Sequence, residues 1–331
     1  MHWRLPLPIS PRILTACLLG LLPGLAQAEW FQREEAIMGT RVAVELWSED
    51  AALAGRAMDE VIAEMRRTDE LMSTYKPESQ LSQVNAHAHE RPVQVDADII
   101  EVVERALAMS KLSGGAFDIT YASVGYLYDY RAHQRPSDQQ IAVALPGVDY
   151  RQVQVDREAR TIRFLRKGVR IDLGGIAKGY AVDRSIDHLR KLGIEHAMVN
   201  AGGDTRLLGD RRGKPWVVGI RDPRNEGRVV TRLPLEDEAI STSGDYERYF
   251  EEDGVRYHHI LVPGTGQSAR GVRSATVIGA DATLTDALST TVFVLGVERG
   301  MRLIAGLPGV EAVVVDDQGR IYYSDGLAQP Q

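Results

Sequence analysis

The stretch from Asp172 to Arg184, taken with its flanks, restricts the fold more than any other part of the chain. The run 169–173 (V-R-I-D-L) is largely apolar and predicts a buried strand. The glycine pair 174–175 follows, and apolar residues then recur at helical spacing over 176–192. Gly193 stands where a glycine commonly ends a helix. The sequence therefore predicts a strand, a glycine turn and a helix in direct succession.

This succession points backbone N–H groups and the positive end of a helix dipole at the glycine turn, where an anion is stabilised. Neither the Walker A pattern G-x-x-x-x-G-K-[ST] nor G-x-G-x-x-G fits the residues. The spacing alone leaves two interpretations open, a phosphate site and a plain tight connection. Glycine pairs at 114–115 and 202–203 and the run 241–245 (S-T-S-G-D) raise the same question.

The segment 1–28 predicts a secretory signal peptide. Its only charges are Arg4 and Arg12, residues 13–25 are apolar, and 26–28 (A-Q-A) form a cleavage signal. The apolar run is too short to span a membrane. We expect cleavage after this tripeptide, export to the periplasm, and a mature chain of residues 29–331.

Cys17 is the single cysteine of the chain and lies in this segment. Residues 14–17 (L-T-A-C) resemble a bacterial lipobox, which would make an inner-membrane lipoprotein. Most apolar residues follow Cys17, so we favour soluble release. A mature chain without cysteine excludes disulfides, thiol catalysis and cysteine metal sites.

Local patterns predict an α+β fold with a mixed, mostly antiparallel sheet and packed helices. No regular βαβ repeat is present, and we expect a helix-rich first part (29–150) packed against a sheet-rich second part (151–331). The predicted helices are 50–72, 96–112, 176–192 and 283–295, while 79–85 is either a short helix or a turn and 126–150 is irregular. The predicted strands are 41–46, 153–155, 161–164, 169–173, 196–199, 216–220, 239–242, 257–261, 275–278, 313–315 and 321–323.

The charge balance excludes one class of partner. The formal net charge is −7 and no long basic run occurs, which argues against a nucleic-acid binder.

Three oxygen-bearing side chains share one face of the predicted helix 283–295. Asp286, Ser289 and Thr290 stand at i, i+3 and i+4 in an otherwise apolar helix, so each needs a polar partner. An oxygen-ligated cation such as Mg²⁺ would supply one. The alternative is that Thr283 and Asp286 form a capping box, and the spacing does not decide between the two.

The pair His258-His259 precedes a glycine-rich turn at 263–266. Either a general base or a structural histidine fits this position. His87 and His89 stand in a polar loop, where we expect them to be solvated.

Eight short motifs, in order along the chain, resemble the ApbE-type flavin transferases, that is FAD:protein FMN transferases, once labelled thiamine biosynthesis lipoproteins. They are 38–40 (M-G-T), 72–75 (M-S-T-Y), 115–118 (G-A-F-D), 172–183 (D-L-G-G-I-A-K-G-Y-A-V-D), 200–204 (N-A-G-G-D), 241–244 (S-T-S-G), 259–266 (H-I-L-V-P-G-T-G) and 286–290 (D-A-L-S-T).

The resemblance implies a T-fold-like protein that holds FAD in a cleft between two subdomains. It also implies Mg²⁺-dependent cleavage of FAD, release of AMP, and esterification of FMN to a threonine of a target protein. Carried over by motif, the FAD contacts are Met38, Tyr75, Ala116, Phe117, Asp118, Asp172, Lys178 and Ile260. The metal ligands are the carbonyl of Gly175 and the side chains of Asp286 and Thr290.

Two positions depart from the family pattern. Some members have a second acid at Ser289, and Val262 replaces an acid that usually follows H-I-[IL]. A second metal-side carboxylate is therefore not expected, while the His259 and Thr265 positions are kept.

The resemblance also suggests catalytic roles. We expect Gly174-Gly175 to cradle the diphosphate, and His259 to accept the threonine proton as a near-neutral base, ahead of Asp286 acting through water. The acceptor would be a subunit of a membrane redox complex of Na⁺-pumping Nqr or Rnf type. An FAD pyrophosphatase and a non-catalytic FAD carrier are the alternatives, and a homodimer is compatible with all three.

Overall fold

The computed structural model describes residues 29–225 and 227–328, so the predicted signal peptide and Cys17 lie outside the described residues. The helices are α1 (Ala51–Met72), α2 (Gln80–His87), α3 (Ala97–Leu112), α4 (Ala122–Gly125), α5 (Asp138–Ala144), α6 (Ala177–Lys191), α7 (Ala282–Ala305) and α8 (Asp325–Ala328). Among the described residues, none of these helices is both long and apolar enough to cross a membrane.

The strands outnumber the helices and are mostly short. They are β1 (Glu29–Ile37), β2 (Thr40–Ser48), β3 (Val93–Gln94), β4 (Val153–Asp156), β5 (Thr161–Phe164), β6 (Ala197–Ala201), β7 (Asp204–Leu208), β8 (Trp216–Arg221), β9 (Val229–Leu235), β10 (Ala239–Gly244), β11 (Tyr249–Glu252), β12 (Val255–His258), β13 (Leu261–Val262), β14 (Gln267–Ser268), β15 (Val272–Gly279), β16 (Glu311–Asp316) and β17 (Ile321–Tyr323).

One large antiparallel sheet forms the centre of the fold. In the described part of the chain it has eight strands in the order β1-β2-β6-β7-β10-β15-β16-β17. Each neighbouring pair is antiparallel, which confirms the predicted α+β class. β1 and β2 come from the first part of the sequence, and β2 pairs with β6 from the second, so this sheet crosses the division near residue 150.

Helices α6 and α7 cross beside this sheet and carry the motifs singled out in the sequence. α6 packs against α1 and β6 through a cluster that includes Val44, Val61 and Ile186. α7 packs against β10 and β15 through a second cluster that includes Val277 and Leu288. Residues 282–293 of α7 are buried or half-buried on every side, and most of α6 is buried as well, so the polar residues of both helices are held in fixed positions.

Several predicted elements are confirmed with their caps. The side chain of Asp50 caps α1 by accepting from the backbone N–H of Ala52 at 2.8 Å, and Asp96 caps α3. Gly193, with φ +79°, follows the end of α6 as predicted. The helical repeat and its caps were therefore sufficient to place these helices.

The predicted strand 169–173 is wrong. Val169, Ile171 and Leu173 are buried as expected, but the backbone of Ile171 pairs with a side chain: its N–H donates to Asn85 Oδ1 at 2.8 Å, and its carbonyl accepts from Asn85 Nδ2 at 2.9 Å. The N–H of Asp172 donates to the carbonyl of Ile119 at 3.0 Å. The segment is a buried connection, not a strand.

Three further predictions need correction. The stretch 126–150 contains α5, which begins at a capping box formed by Ser137 and Gln140. The strand expected at 257–261 is divided between β12 and β13. The last helix continues to Ala305 beyond a break at Gly296, whose φ and ψ are 79° and 174°.

Candidate functional site

The start of α6 meets the second turn of α7. The backbone N–H of Gly179, three residues into α6, donates to Asp286 Oδ2 at 3.0 Å. A Cβ atom at Gly179 would lie 2.2 Å from the carbonyl oxygen of Ala282. Only glycine allows the two helices to approach this closely, so the contact places the Asp286 carboxylate at the N-terminal end of α6, where an anion is stabilised.

Asp183, one turn further along α6, ties down the first turn of α7. Its carboxylate accepts from the backbone N–H of Ala282 at 2.9 Å and of Thr283 at 2.8 Å. It also accepts from the Thr283 hydroxyl at 2.6 Å. These bonds satisfy N–H groups that a helix leaves free at its start, so α7 is attached to α6 at two successive points.

The capping-box interpretation of Thr283 and Asp286 is wrong. The residue that caps α7 is Asp281, whose side chain accepts from the backbone N–H of Leu284 at 2.7 Å. Asp286 lies past the cap and is buried. Its carboxylate therefore has no role in starting its own helix and faces α6 instead.

The predicted metal-binding residues from the two halves of the motif set lie together. A Cβ built on Gly175 would lie 3.4 Å from Thr290 Oγ1. The Thr290 hydroxyl is 3.0 Å from Ser243 Oγ, which is also 2.8 Å from Ser289 Oγ. β10 thus supplies a hydroxyl that orients Thr290 toward the glycine turn.

Lys178 occupies the space between two carboxylates. Its ammonium donates to Asp204 Oδ2 and lies 3.5 Å from Asp286 Oδ2. Burial lowers the pKa of Lys178, but the charges of Asp204 and Asp286 outweigh burial and raise that pKa well above its usual value. Lys178 was predicted to contact FAD, and here it is a charged group at the predicted metal site.

The same cluster changes the acidity of Asp286. Burial, helped by the negative charge of Asp204, raises the pKa of Asp286 to about 7. Lys178 and the N–H of Gly179 act in the opposite direction by stabilising the carboxylate. Asp286 is thus a carboxyl that releases its proton near neutral pH when no metal is bound.

Asp172 shapes the glycine turn from inside. Its Oδ1 accepts from the N–H of Gly174 at 2.7 Å and from the hydroxyl of Tyr121 at 3.2 Å. Its Oδ2 accepts from the hydroxyl of Thr74 at 2.9 Å. The N–H groups of Gly174 and Gly179 are therefore bonded to the protein's own carboxylates.

The residues predicted to face the flavin differ in their exposure to solvent. Tyr75 is 81% exposed, beside Thr74, which bonds Asp172. The Phe117 ring is buried and lies 3.3 Å from the Cβ position of Gly175, and Ala116, which precedes it, is half-buried. Met38 stands at the β1–β2 turn with φ +55°, at the edge of an open pocket of about 570 Å³.

Asp118, also predicted to contact FAD, accepts hydrogen bonds from other residues of the protein through both carboxylate oxygens. Its Oδ1 accepts from the N–H and hydroxyl of Thr120 at 2.8 and 2.6 Å, and its Oδ2 accepts from the N–H of Tyr150 at 2.9 Å. Burial raises the pKa of this carboxyl. Its visible role is to join two loops beside Phe117.

The two adjacent histidines have different environments. His258 is buried: its Nε2 lies 2.8 Å from the carbonyl of Ala269, and its Nδ1 accepts from the N–H of Ile260 at 3.3 Å. Burial lowers its pKa. His258 is therefore a neutral, structural histidine, and Ile260, a predicted FAD contact, is held in place by it.

His259 has an uncommitted ring nitrogen. Its backbone N–H donates to the carbonyl of Arg248 at 3.1 Å, whereas its Nδ1 is buried and has no hydrogen-bond partner among the described residues. Burial and the positive charge of Arg248 lower the pKa of His259 to about 3. The expected near-neutral base is thus corrected to an imidazole that is uncharged throughout the physiological range.

Two residues of the cluster were not among the predicted site residues. Asp204 is only 2% exposed although its side chain is a carboxylate, and Ser243 bonds the hydroxyls of Ser289 and Thr290 on α7. The signal for both was the glycine pair before Asp204 and the hydroxyl run on β10. Neither pattern identifies the partner of the side chain, which comes from another element.

Within residues 29–225 and 227–328, no group of three or more histidine, cysteine, aspartate or glutamate side chains is arranged to hold a metal. A cation here would rely on one carboxylate, a hydroxyl and a backbone carbonyl. Fold and site together define a class: an α+β protein with a buried oxygen-donor site at a helix junction.

Comparison with known proteins identifies the family to which the chain belongs. Residues 38–314 match the model of the ApbE family, and the chain belongs to this family. A protein of Treponema pallidum named FAD:protein FMN transferase is 32% identical over 346 aligned residues, which cover 99% of this chain and 94% of the relative. A protein of Vibrio cholerae with the same name is 35% identical over 275 aligned residues, which cover 80% of this chain and 81% of the relative.

Solved structures agree with this assignment. The crystal structure of the ApbE protein from Thermotoga maritima matches with a TM-score of 0.84 at 36% identity, covering 90% of this chain and 98% of that one. The flavin transferase ApbE from Vibrio cholerae matches with a TM-score of 0.81 at 30% identity, over the same shares of the two chains.

Proposed function

We propose that this chain is an FAD:protein FMN transferase that uses Mg²⁺. It would move FMN from FAD onto a threonine of a target flavoprotein and release AMP. One observation carries the proposal: Gly175, Asp286 and Thr290 lie together beside the charged Lys178, although more than one hundred residues separate the two halves.

The donor set fits Mg²⁺. Asp286 Oδ2 is fixed by Gly179, while among the described residues Oδ1 accepts no hydrogen bond and is free to bind a cation. The Thr290 hydroxyl and the Gly175 carbonyl add hard oxygen ligands, and Mg²⁺ commonly takes one or two protein groups, substrate phosphates and water. When bound, the ion would neutralise charge that develops on the diphosphate.

The chain's own residues would perform the remaining steps. The acceptor threonine oxygen forms a bond to the FMN phosphorus as the bond from that phosphorus to the bridging oxygen breaks, and AMP leaves with this oxygen. Lys178 would hold a diphosphate oxygen through its charge. The threonine proton would pass to the neutral imidazole of His259, whose Nδ1 lacks a partner among the described residues.

Burial is the main cause of the low pKa of His259, and the positive charges of Arg248 and, to a smaller extent, Lys178 lower it further. Substrate would reverse only the contribution of charge. An anionic diphosphate bound beside Lys178 would offset that charge and raise the pKa of His259 toward a useful range. The histidine would thus become a better base only when substrate is present.

Two other functions use the same site. In an FAD pyrophosphatase, water would replace threonine and the products would be FMN and AMP. In a non-catalytic FAD carrier, the diphosphate would need no metal. The two buried carboxylates of Asp204 and Asp286 around the half-buried ammonium of Lys178 favour a reaction, because flavin binding alone does not require two buried carboxylates.

The setting of the reaction is part of the proposal. The segment 1–28 favours export to the periplasm, with lipid anchoring through Cys17 as the alternative. An acceptor there would be a periplasm-facing flavoprotein subunit of a membrane redox complex, of Nqr or Rnf type. A homodimer is a separate proposal, tested by the molar mass in light scattering.

The experiment incubates residues 29–331 with FAD, Mg²⁺ and such an acceptor domain. We expect an FMN-sized mass increase on one threonine and release of one AMP per label, and we expect EDTA to prevent both. AMP without a label supports the pyrophosphatase. Bound FAD with neither product supports the carrier. An acceptor whose threonine is changed to alanine is the matched control.

A further inference from the structure

Two carboxylates share one ammonium group at the junction of α6 and α7. Lys178 reaches Asp204, the first residue of β7, and Asp286 on α7. The backbone of Asp204 is fixed in the central sheet, where it pairs with Ala201 of β6 and Ser241 of β10. Asp204 is therefore a rigid, buried counter-charge supplied by the sheet.

The sharing is unequal. Lys178 forms a hydrogen bond to Asp204, whereas its distance to Asp286 Oδ2 is 3.5 Å. Strong ammonium–carboxylate hydrogen bonds are about 2.7–2.9 Å long. Lys178 is therefore committed to Asp204, and Asp286 keeps the N–H of Gly179 as its closest partner.

We propose that Asp204 is a positioning residue that holds the Lys178 ammonium away from Asp286 and so leaves Asp286 open to Mg²⁺. The inference rests on the Mg²⁺ site of the proposed function. A half-buried ammonium such as that of Lys178 loses part of its hydration, so it closes on the nearest anion. Without Asp204 that anion is Asp286, and Lys178 then competes with the metal for the same carboxylate.

A simpler explanation predicts a different pattern. If Asp204 attracted Mg²⁺ only through its charge, removing Asp204 would weaken binding and removing Lys178 would strengthen it by independent amounts. Positioning instead predicts coupling, because Lys178 harms metal binding only after Asp204 is gone. A double-mutant cycle separates the two explanations.

The test measures Mn²⁺ binding by electron paramagnetic resonance, and Mg²⁺ by competition, in the protein without FAD. Asp204→Asn should lower Mg²⁺ affinity by about 10- to 100-fold, the range seen when a group that orients a metal ligand is lost. Lys178→Met should change affinity little in the native background and restore it in the Asp204→Asn background. Equal effects of Lys178→Met in both backgrounds, or unchanged affinity in Asp204→Asn, would overturn the inference.

Asp204→Glu is the second variant, for use if Asp204→Asn does not fold. It keeps the charge but displaces the ammonium by the length of one methylene. Positioning therefore predicts weaker Mg²⁺ binding, whereas an effect of charge alone predicts unchanged Mg²⁺ binding. Retained affinity in Asp204→Glu contradicts the inference. Thermal unfolding of each variant reports whether the fold survives.

The variant Asp286→Asn distinguishes a failure of the role proposed for Asp204 from a failure of the proposed Mg²⁺ site. Loss of Mg²⁺ binding in this variant, with normal binding in Asp204→Asn, refutes only the role of Asp204. Native-like Mg²⁺ binding in Asp286→Asn refutes the metal site itself, and with it both the Mg²⁺ ligands named in the proposed function and the role of Asp204.

Discussion

The backbone N–H of Gly179 donates to Asp286 Oδ2 at 3.0 Å across 107 residues of sequence. This bond joins the glycine-turn motif to the D-A-L-S-T motif and sets the direction of the carboxylate. It exists because residue 179 has no Cβ, which would lie 2.2 Å from the carbonyl oxygen of Ala282.

Gly179→Ala should therefore separate α6 from α7. We expect a loss of about 1–3 kcal/mol in the free energy of unfolding, typical of overpacking, and loss of FAD cleavage. Urea unfolding and AMP release measure the two effects. Gly55→Ala in α1 is the matched control, since a Cβ there meets open space, and it should be neutral or stabilising by about 0.5–1 kcal/mol. Equal effects of the two substitutions would contradict the close helix contact.

Asp183→Asn should loosen the start of α7. The amide cannot accept all of the hydrogen bonds from Ala282 and Thr283, so we expect about 1–3 kcal/mol of destabilisation. Hydrogen exchange of the α7 amides should rise with it. Asp187→Asn, one turn further along α6, is the control, because among the described residues the Asp187 side chain makes only a long ion pair with Arg190 at 3.7 Å. Unchanged exchange in Asp183→Asn would disprove the attachment.

Thr290→Val should raise the Mg²⁺ concentration needed for turnover. It removes a hydroxyl held by Ser243 but keeps the shape of the side chain. We expect about a 10-fold shift in the Mg²⁺ dependence of AMP release, rescued by excess Mg²⁺. Thr291→Val is the control, because the Thr291 hydroxyl bonds the carbonyl of Ala287 within its own helix. A normal Mg²⁺ dependence in Thr290→Val would remove Thr290 from the metal site.

Acid should destabilise the fold through His259. Its pKa is about 3 in the folded protein and near 6.5 when unfolded, so the unfolded chain binds more protons as pH falls. The contribution is fully present above pH 6.5 and is lost between about pH 6.5 and 3, by at most about 1.4 kcal/mol per pH unit.

Urea unfolding at pH 7 and pH 5 checks this dependence. His259→Asn should reduce the drop in unfolding free energy between these pH values. Carboxyls with raised pKa values, such as Asp118 and Asp286, act in the opposite direction, so the difference between variants is the decisive quantity. An equal drop in His259→Asn and the native chain would show that this ring is not held neutral by the fold.

The sequence patterns predicted what depends on neighbours in the chain. The helical repeat and the aspartate caps located α1 and α3 because both signals lie within one segment. The apolar run 169–173 predicted burial correctly and strand pairing wrongly. Burial follows from side-chain type, but pairing depends on which backbone lies alongside, and here Asn85 supplies the partner.

The candidate site shows the same limit. Family motifs located Gly175, Asp286 and Thr290, and the fold brings their elements together. Motifs did not indicate that Asp204 neutralises Lys178, nor that Ser243 holds Thr290, because these partners come from different strands and helices. Nor did they predict the low pKa of His259, which follows from burial and from Arg248.

The most direct test of the account is the mass of the acceptor domain after incubation with FAD and Mg²⁺. The native chain should add one FMN to a threonine for each AMP released, and Asp286→Asn should add none. Glu298→Gln, on the exposed side of α7, should match the native chain. Labelling by Asp286→Asn at the native rate, or AMP release by the native chain without any label, would contradict it.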